Sequence, residues 1–212
     1  MEIIWYGHSC FRLKTRGAIV LCDPCGKGVG YSIPRMRADI VTISSDQPDY
    51  NNCSLAQGDP RVIHGPGEYE VKGVFITGIA TAQKKGKSSD LPRNTLYLFD
   101  FDGLTVCHLG SLDHVLSQTQ LQDLTDVDVL LIPVGAGTTL NANQAAEVIG
   151  LLEPKIVVPM HYKTRAVQAR LEPVGKFLKE MGLAESTPRD SLEIDKGGLP
   201  SETQVAVLNY KE

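Results

Sequence analysis

The chain has 212 residues, a formal net charge of −4, 42% hydrophobic and 22% charged residues, which suits one soluble globular domain over residues 1–212 with a sizeable core. The acidic excess argues against a general nucleic-acid surface. No apolar run approaches the ~18 residues of a membrane span, and Met1-Glu2-Ile3-Ile4-Trp5 lacks the basic start of a signal peptide.

Short β-like runs crowd the first half. Ile3 to Tyr6, Cys10 to Leu13, Ala18 to Cys22, Ile40 to Ile43 and Arg61 to Ile63 are brief, apolar and bounded by turn residues. Tyr69 to Ile79 is interrupted by Lys72-Gly73, which predicts a tight turn between two strands. Lys84, Lys85 and Lys87, set among Gly86, Ser88 and Ser89, read as a solvated loop. Thr95 to Phe101 and Leu104 to His108 flank Asp102-Gly103, a dipeptide that accepts the positive φ angles of a two-residue hairpin turn.

The rhythm then changes. Asp128 to Pro133 is continuously apolar, as expected of a strand covered on both faces. Asn141 to Leu152 reads as a helix, with Asn141 as cap and Gln144 at the capping-box position. Ile156 to Met160 is a second buried strand. Val167 to Met181 has helical character, with Pro173 either starting the helix proper or kinking it and Gly182 as a stop. Leu192 to Ile194 and Gln204 to Leu208 close the chain as strands. This order implies sheet layers with helices packed outside.

Five cysteines, an odd number without an export signal, predict free thiols in a reducing cytoplasm. Cys22 and Cys25 have redox-motif spacing, but they follow a strand rather than open a helix, so they read as buried or loop thiols.

Four polar clusters fall at predicted strand ends: Gly7-His8-Ser9, Cys22-Asp23-Pro24, His108-Leu109-Gly110-Ser111 and Met160-His161-Tyr162. Polar groups gathered at strand ends, with glycines for close backbone approach, are where layered sheets bind ligands.

These pieces, with Gly65-Pro66-Gly67-Glu68-Tyr69-Glu70-Val71, Asn94-Thr95 and Val157-Val158-Pro159-Met160-His161-Tyr162, occur in the order found in one branch of the metallo-β-lactamase superfamily. That branch includes ascorbate-6-phosphate lactonase and many metal-dependent hydrolases. The resemblance spans about residues 2 to 208. It implies an α/β, four-layer αβ/βα sandwich in which two facing mixed sheets carry helices outside and the site lies along one sheet edge. It also implies pairing with a second copy.

The same resemblance exposes a departure. The family reads His-x-His-x-Asp-His where this chain has Ser45, Gln47, Asp49 and Tyr50. The third ligand of the first metal falls near Gln83, and the bridging aspartate is Ser111. Only Asp49 and His161 survive as residual metal ligands, while His8, Asp23 and His108 match residues that support the site in the family, and Asn94 is a further pocket candidate. Zinc takes imidazole, thiolate or carboxylate, and hydroxyl or amide oxygens serve it poorly. If each lost ligand costs at least what a lost supporting contact costs, the first site weakens by at least ~10⁴-fold. No cofactor is therefore expected, or zinc or manganese held weakly. The first expectation is a binding or non-catalytic subunit that takes a small molecule or a protein partner. The alternative is a lactone, ester or phosphoester hydrolase with a rebuilt or single-metal site, for which Asp49, His161 and His8 are the catalytic candidates.

Overall fold

The computed structural model describes residues 1–81 and 94–212. In chain order β1 (Glu2–Trp5), β2 (Phe11–Lys14) and β3 (Ile19–Cys22) form an antiparallel meander. β4 (Met36–Arg37), β5 (Ile40–Ile43), β6 (Ala56–Gln57) and β7 (Arg61–His64) follow. β5 and β7 extend the meander in parallel beyond β3, whereas β4 and β6 pair only with each other. β8 (Gly67–Val71), β9 (Val74–Thr81), β10 (Asn94–Phe101) and β11 (Leu104–His108) are successively antiparallel.

After α1 (Gln118–Gln122), β12 (Val129–Pro133) joins β11 in parallel, and α2 (Ala142–Leu152) carries the chain over to β13 (Ile156–Met160). α3 (Val174–Glu180) packs on α2. β14 (Leu192–Glu193) returns to the edge beside β1, and β15 (Gln204–Val205) pairs in parallel with β13. The result is a six-stranded sheet, β14-β1-β2-β3-β5-β7, and a seven-stranded sheet, β15-β13-β12-β11-β10-β9-β8. Both are mixed, so the αβ/βα sandwich expected from the sequence is the fold observed.

Side-chain alternation explains why the first sheet is covered on both faces. Ile3, Trp5, Phe11, Leu13, Val20 and Ile40 point into one apolar cluster shared with Ile76, Phe99, Val106 and Leu131 of the second sheet. The intervening Ile4, Tyr6, Leu21, Val41 and Ile43 build a separate cluster with Val29, Tyr31, Met36 and Val167. Each such fully buried side chain contributes about 1.5–3 kcal/mol relative to exposure. The resemblance placed helices outside both sheets. On this second face the cover is instead a segment of 3₁₀ turns and irregular chain, Lys27–Val29 and Cys53–Leu55 among it.

Both turn dipeptides behave as read. Lys72 and Gly73 have φ of 52° and 75°, and Asp102 and Gly103 have 56° and 85°. Asn141 and Gln144 form the reciprocal capping box of α2.

Three readings need correction. Residues 167–172 are not helical, because a residue before proline avoids the α conformation and the loop is tied down elsewhere. Lys163 Nζ donates to the Val167 and Ala169 carbonyls, and Glu172 N–H donates to Gly135 O at 2.8 Å. Pro173 therefore starts the helix rather than kinking it. The last strand stops at Val205, with Leu208 reaching only an isolated bridge to Arg189. α1 was not anticipated, although Ser117 and Gln120 form its capping box. The lysine cluster at 84–87 lies outside the described residues.

Among the described residues no helix is long and apolar enough to cross a membrane. All five cysteines are free, four of them buried.

Candidate functional site

β1, β3, β5 and β7 point one way in the first sheet, and β11, β12 and β13 share a direction in the second. Their carboxyl ends meet along one edge and are stapled there. Thr95 N–H donates to Ser44 O at 2.8 Å, His161 N–H to His8 O at 3.1 Å, and the Tyr97 hydroxyl to Ile43 O at 2.8 Å. The residues leaving these strands turn sharply: His8, Asp23 and His161 sit in the left-handed region at φ of 50°, 44° and 52°. Left-handed backbone at non-glycine residues costs energy and clusters at functional sites.

Two connected groups of side chains result. In the first, the rings of His8 and His161 meet edge to face with centroids 4.4 Å apart, and Tyr50 stands edge-on to His8 at 4.7 Å. The Tyr50 hydroxyl faces Ser9 and Ser111. Ser9 Oγ has no hydrogen-bond partner. The Thr139 hydroxyl donates to Ala136 O at 3.2 Å and lies 3.2 Å from His161 Nδ1. With its proton given to the carbonyl, the Thr139 oxygen accepts Nδ1–H, so His161 Nε2 keeps a bare lone pair.

In the second group, Asp23 accepts both the backbone N–H of Ser44 at 2.7 Å and its hydroxyl at 2.6 Å. His108 donates Nε2–H to Ser9 O at 2.9 Å and turns Nδ1 toward the Asp23 carboxyl at 3.9 Å. Asn94 braces the floor, receiving Ser111 N–H at 2.8 Å and donating to Leu109 O at 3.1 Å and Thr81 Oγ1 at 3.0 Å.

Burial sets the charge states. It pulls His108 and His161 down to about 4, holds His8 well below the ordinary imidazole range, and raises Asp23 to about 7 against the two Ser44 bonds. The His8 shift is reinforced by the neighbouring His161. Burial also raises the Tyr50 phenol, with Asp23 and Asp49 adding to the shift. Four buried polar atoms at this edge have no protein partner: His8 Nδ1, Ser9 Oγ, Thr42 Oγ1 and His108 Nδ1. Such atoms need water or a ligand.

Of the residues singled out from the sequence, His8, Asp23, Ser45, Tyr50, Asn94, His108, Ser111 and His161 are all buried at this edge. Asp49 is exposed and Gln47 half-buried, because the turn that donates Tyr50 N–H to Gln47 O sends the tyrosine inward. Gln83 lies outside the described residues. Ser9 belonged to one of the strand-end clusters read from the sequence, whereas Ser44 and Thr139 were missed. Ser44 sat in plain view at the end of β5, but nothing in the chain marked Thr139.

Gly135 supports the His161 loop: a Cβ there would collide with the His161 carbonyl and come within 2.8 Å of Tyr162 Cα. Gly135→Ala is expected to cost about 1–3 kcal/mol by overpacking, measured by chemical denaturation. An unchanged midpoint would show that the loop yields freely.

Two facing mixed sheets with a polar site at their shared edge define the metallo-β-lactamase fold. Residues 2–161 match the family described as the Beta-lactamase superfamily domain, and the chain belongs to it. A Thermotoga maritima crystal structure, described as a candidate Zn-dependent hydrolase of the metallo-β-lactamase superfamily, is 36% identical with a TM-score of 0.80, covering 98% of this chain and 97% of that one. A UPF0173 metal-dependent hydrolase of Nitratidesulfovibrio vulgaris (strain DP4) is 28% identical over 92% of this chain and 96% of its own length. Isothiocyanate hydrolase from Delia radicum gut bacteria shares the fold at 13% identity, with a TM-score of 0.71.

The metal named in such relatives does not fit the donors that the described residues bring to this edge. Among the described residues no three His, Cys, Asp or Glu side chains converge as a metal site. Ser45, Tyr50 and Ser111 offer neutral oxygens, and Asp49 is turned to solvent.

Proposed function

We propose that this chain is a hydrolase of the metallo-β-lactamase fold whose site is rebuilt around imidazole and hydroxyl groups, acting on a small ester, lactone or phosphoester. The observation that carries this reading is the pair of contacting buried imidazoles, one with its Nε2 lone pair left free by the Thr139 bond and the other with an unpartnered Nδ1. Named hydrolases among the relatives add support. In this reading His161 Nε2 takes a proton from water as the water attacks the acyl or phosphoryl centre. The Tyr50 hydroxyl donates to the oxygen that gains charge. The protonated His161 then returns the proton to the leaving oxygen.

Generic ester, lactone and phosphodiester substrates test it on chelator-treated protein. Hydrolysis is expected to survive chelation and to fall at least ~100-fold in His161→Ala, the lower range for a lost general base. Activity abolished by chelation and restored by zinc would overturn the metal-free mechanism.

A second reading, a non-catalytic binding subunit, draws on Tyr50. Its ring lies against His8 and is 3% exposed, so it occupies space that a reacting group needs. No turnover of any tested substrate by parent or Tyr50→Ala protein would favour it.

A further inference from the structure

On the chain that follows Asp23 lies a surface groove of about 680 Å³ lined by Lys27, Arg35, Ser32, Asn52 and Ser54 among others, with no carboxylate in its lining. Three other surface grooves differ. One combines Lys14 and Arg16 with Glu2, Glu193 and Asp195; another sets Lys211 beside Asp190 and Glu212; the third mixes Arg37 and Lys72 with Asp39 and Asp59. Lys27 and Arg35 are exposed, and neither has an acidic partner among the described residues.

The surroundings extend the pattern. Residues 24–38 follow Asp23 directly, and residues 162–171 follow His161; both segments carry cations and neither contains an Asp or Glu. The two segments touch: the Tyr31 hydroxyl is 2.8 Å from Thr164 Oγ1, and Val29, Tyr31 and Val167 share one apolar cluster. In a chain of net charge −4, these two segments are positive, while the segment that supplies Asn52 and Ser54 also brings the exposed Asp46 and Asp49, the latter near enough to Cys25 to help raise its thiol. Tyr31 also joins groove to site, since its ring covers Gly7, the residue before His8.

We propose that the groove between Lys27 and Arg35 binds the anionic group, phosphate or carboxylate, of the small molecule whose other end enters the neighbouring site. The ligand assignment rests on the hydrolase reading, but the anion site does not. Two cations without an acidic partner among the described residues, in a lining that also holds neutral hydroxyl and amide groups, match an anion's need for charge and for several donors. Arg35 supplies the planar fork and Lys27 a mobile point charge. A ligand of this kind is anchored by its charged end.

The test is titration of the full chain with inorganic phosphate and, separately, acetate at low ionic strength, read by calorimetry and by phosphorus line broadening. The parent is expected to bind at least one of them, weakening as salt approaches ~0.15 M, where the screening length is about 8 Å. Phosphate alone, or acetate as well, identifies the anion. Lys27→Ala/Arg35→Ala is expected to weaken binding by at least ~10-fold, given the strength of charge-assisted hydrogen bonds. Lys14→Ala, from a mixed-charge groove, leaves it unchanged. Circular dichroism checks that the double variant is folded.

Retention of parental affinity by the folded double variant would overturn the proposal, as would a parent that binds neither anion. Tighter binding of a single-stranded oligonucleotide, insensitive to the double substitution, would overturn it in favour of a nucleic-acid surface. His161→Ala separates the two readings. Its anion affinity stays at the parental value whether or not the chain hydrolyses anything, so a failed hydrolase assay leaves this site standing.

Discussion

Asp23→Asn is expected to unfold at higher denaturant than the parent at neutral pH and to lose that advantage on acidification toward the ordinary carboxylate range. The reason is a carboxyl and an imidazole nitrogen buried side by side without a hydrogen bond between them. Ser9 O takes the Nε2–H of His108, so neutral His108 presents a bare Nδ1 to Asp23 at 3.9 Å. Two lone-pair atoms face each other unless one is protonated. Charging His108 means burying a cation, and its value is pulled down to about 4, while burial pushes Asp23 up to about 7. The proton therefore resides on the carboxyl.

A carboxyl raised on folding contributes stability that is full below the unfolded value near ~3.9 and lost as pH rises through about 7. That raise corresponds to an effect on the order of 4 kcal/mol. His108 and His161 run the opposite way: lowered on folding, they contribute stability that is full above ~6.5 and lost as pH falls through about 4. Asparagine removes only the first dependence. It keeps an acceptor for Ser44 N–H, tolerates the left-handed backbone at φ of 44°, and stays uncharged across the whole window. Asp23→Ala instead strands both Ser44 donors and is expected to cost about 3 kcal/mol. Urea denaturation of the three proteins across the window is decisive: a parent-to-asparagine difference that does not vary with pH would mean that Asp23 titrates as it does in the unfolded chain.

Strands were legible in the sequence wherever their pattern was local. Ile40–Ile43 and Ile156–Met160 were read to the residue, because buried parallel strands are continuous apolar runs. The hairpin at Asp102-Gly103 declared itself by the one dipeptide its backbone requires. The 167–172 segment misled because helical spacing of apolar residues is not enough when carbonyls find other donors, here Lys163 Nζ. Within the site, His8, Asp23, His108 and His161 announced themselves as polar residues following strand runs. Thr139 did not. It lies 22 residues before His161 in the chain, and only the parallel course of β12 and β13 brings the loops together. Nor did the sequence distinguish Asp49 from Tyr50: a single turn decides which of two neighbours is buried, and it chose the phenol over the carboxylate.

That choice makes the last prediction a large one. If donor chemistry alone keeps metal away, restoring it restores binding. Ser45→His, Gln47→His, Tyr50→His and Ser111→Asp together are expected to take zinc retained after dialysis from well below one ion per chain to one or more. Ser45, Tyr50 and Ser111 are 1%, 3% and 2% exposed, so three of the new side chains enter a sheltered polar space rather than solvent. Removing the Tyr50 ring frees one face of His8. The new carboxylate at 111 would face Asn94 Oδ1, which already accepts from Ser111 N–H and hydroxyl. Without a cation, that arrangement is repulsive. The quadruple variant should therefore be less stable than the parent when chelated, and should regain about 2.7–4 kcal/mol at free zinc of ~100 to ~1,000 times its dissociation constant. The parent's melting temperature should not respond to either treatment. A folded variant that remains as zinc-poor as the parent would place the barrier in the backbone course of the 44–50 loop instead of in the exchanged side chains.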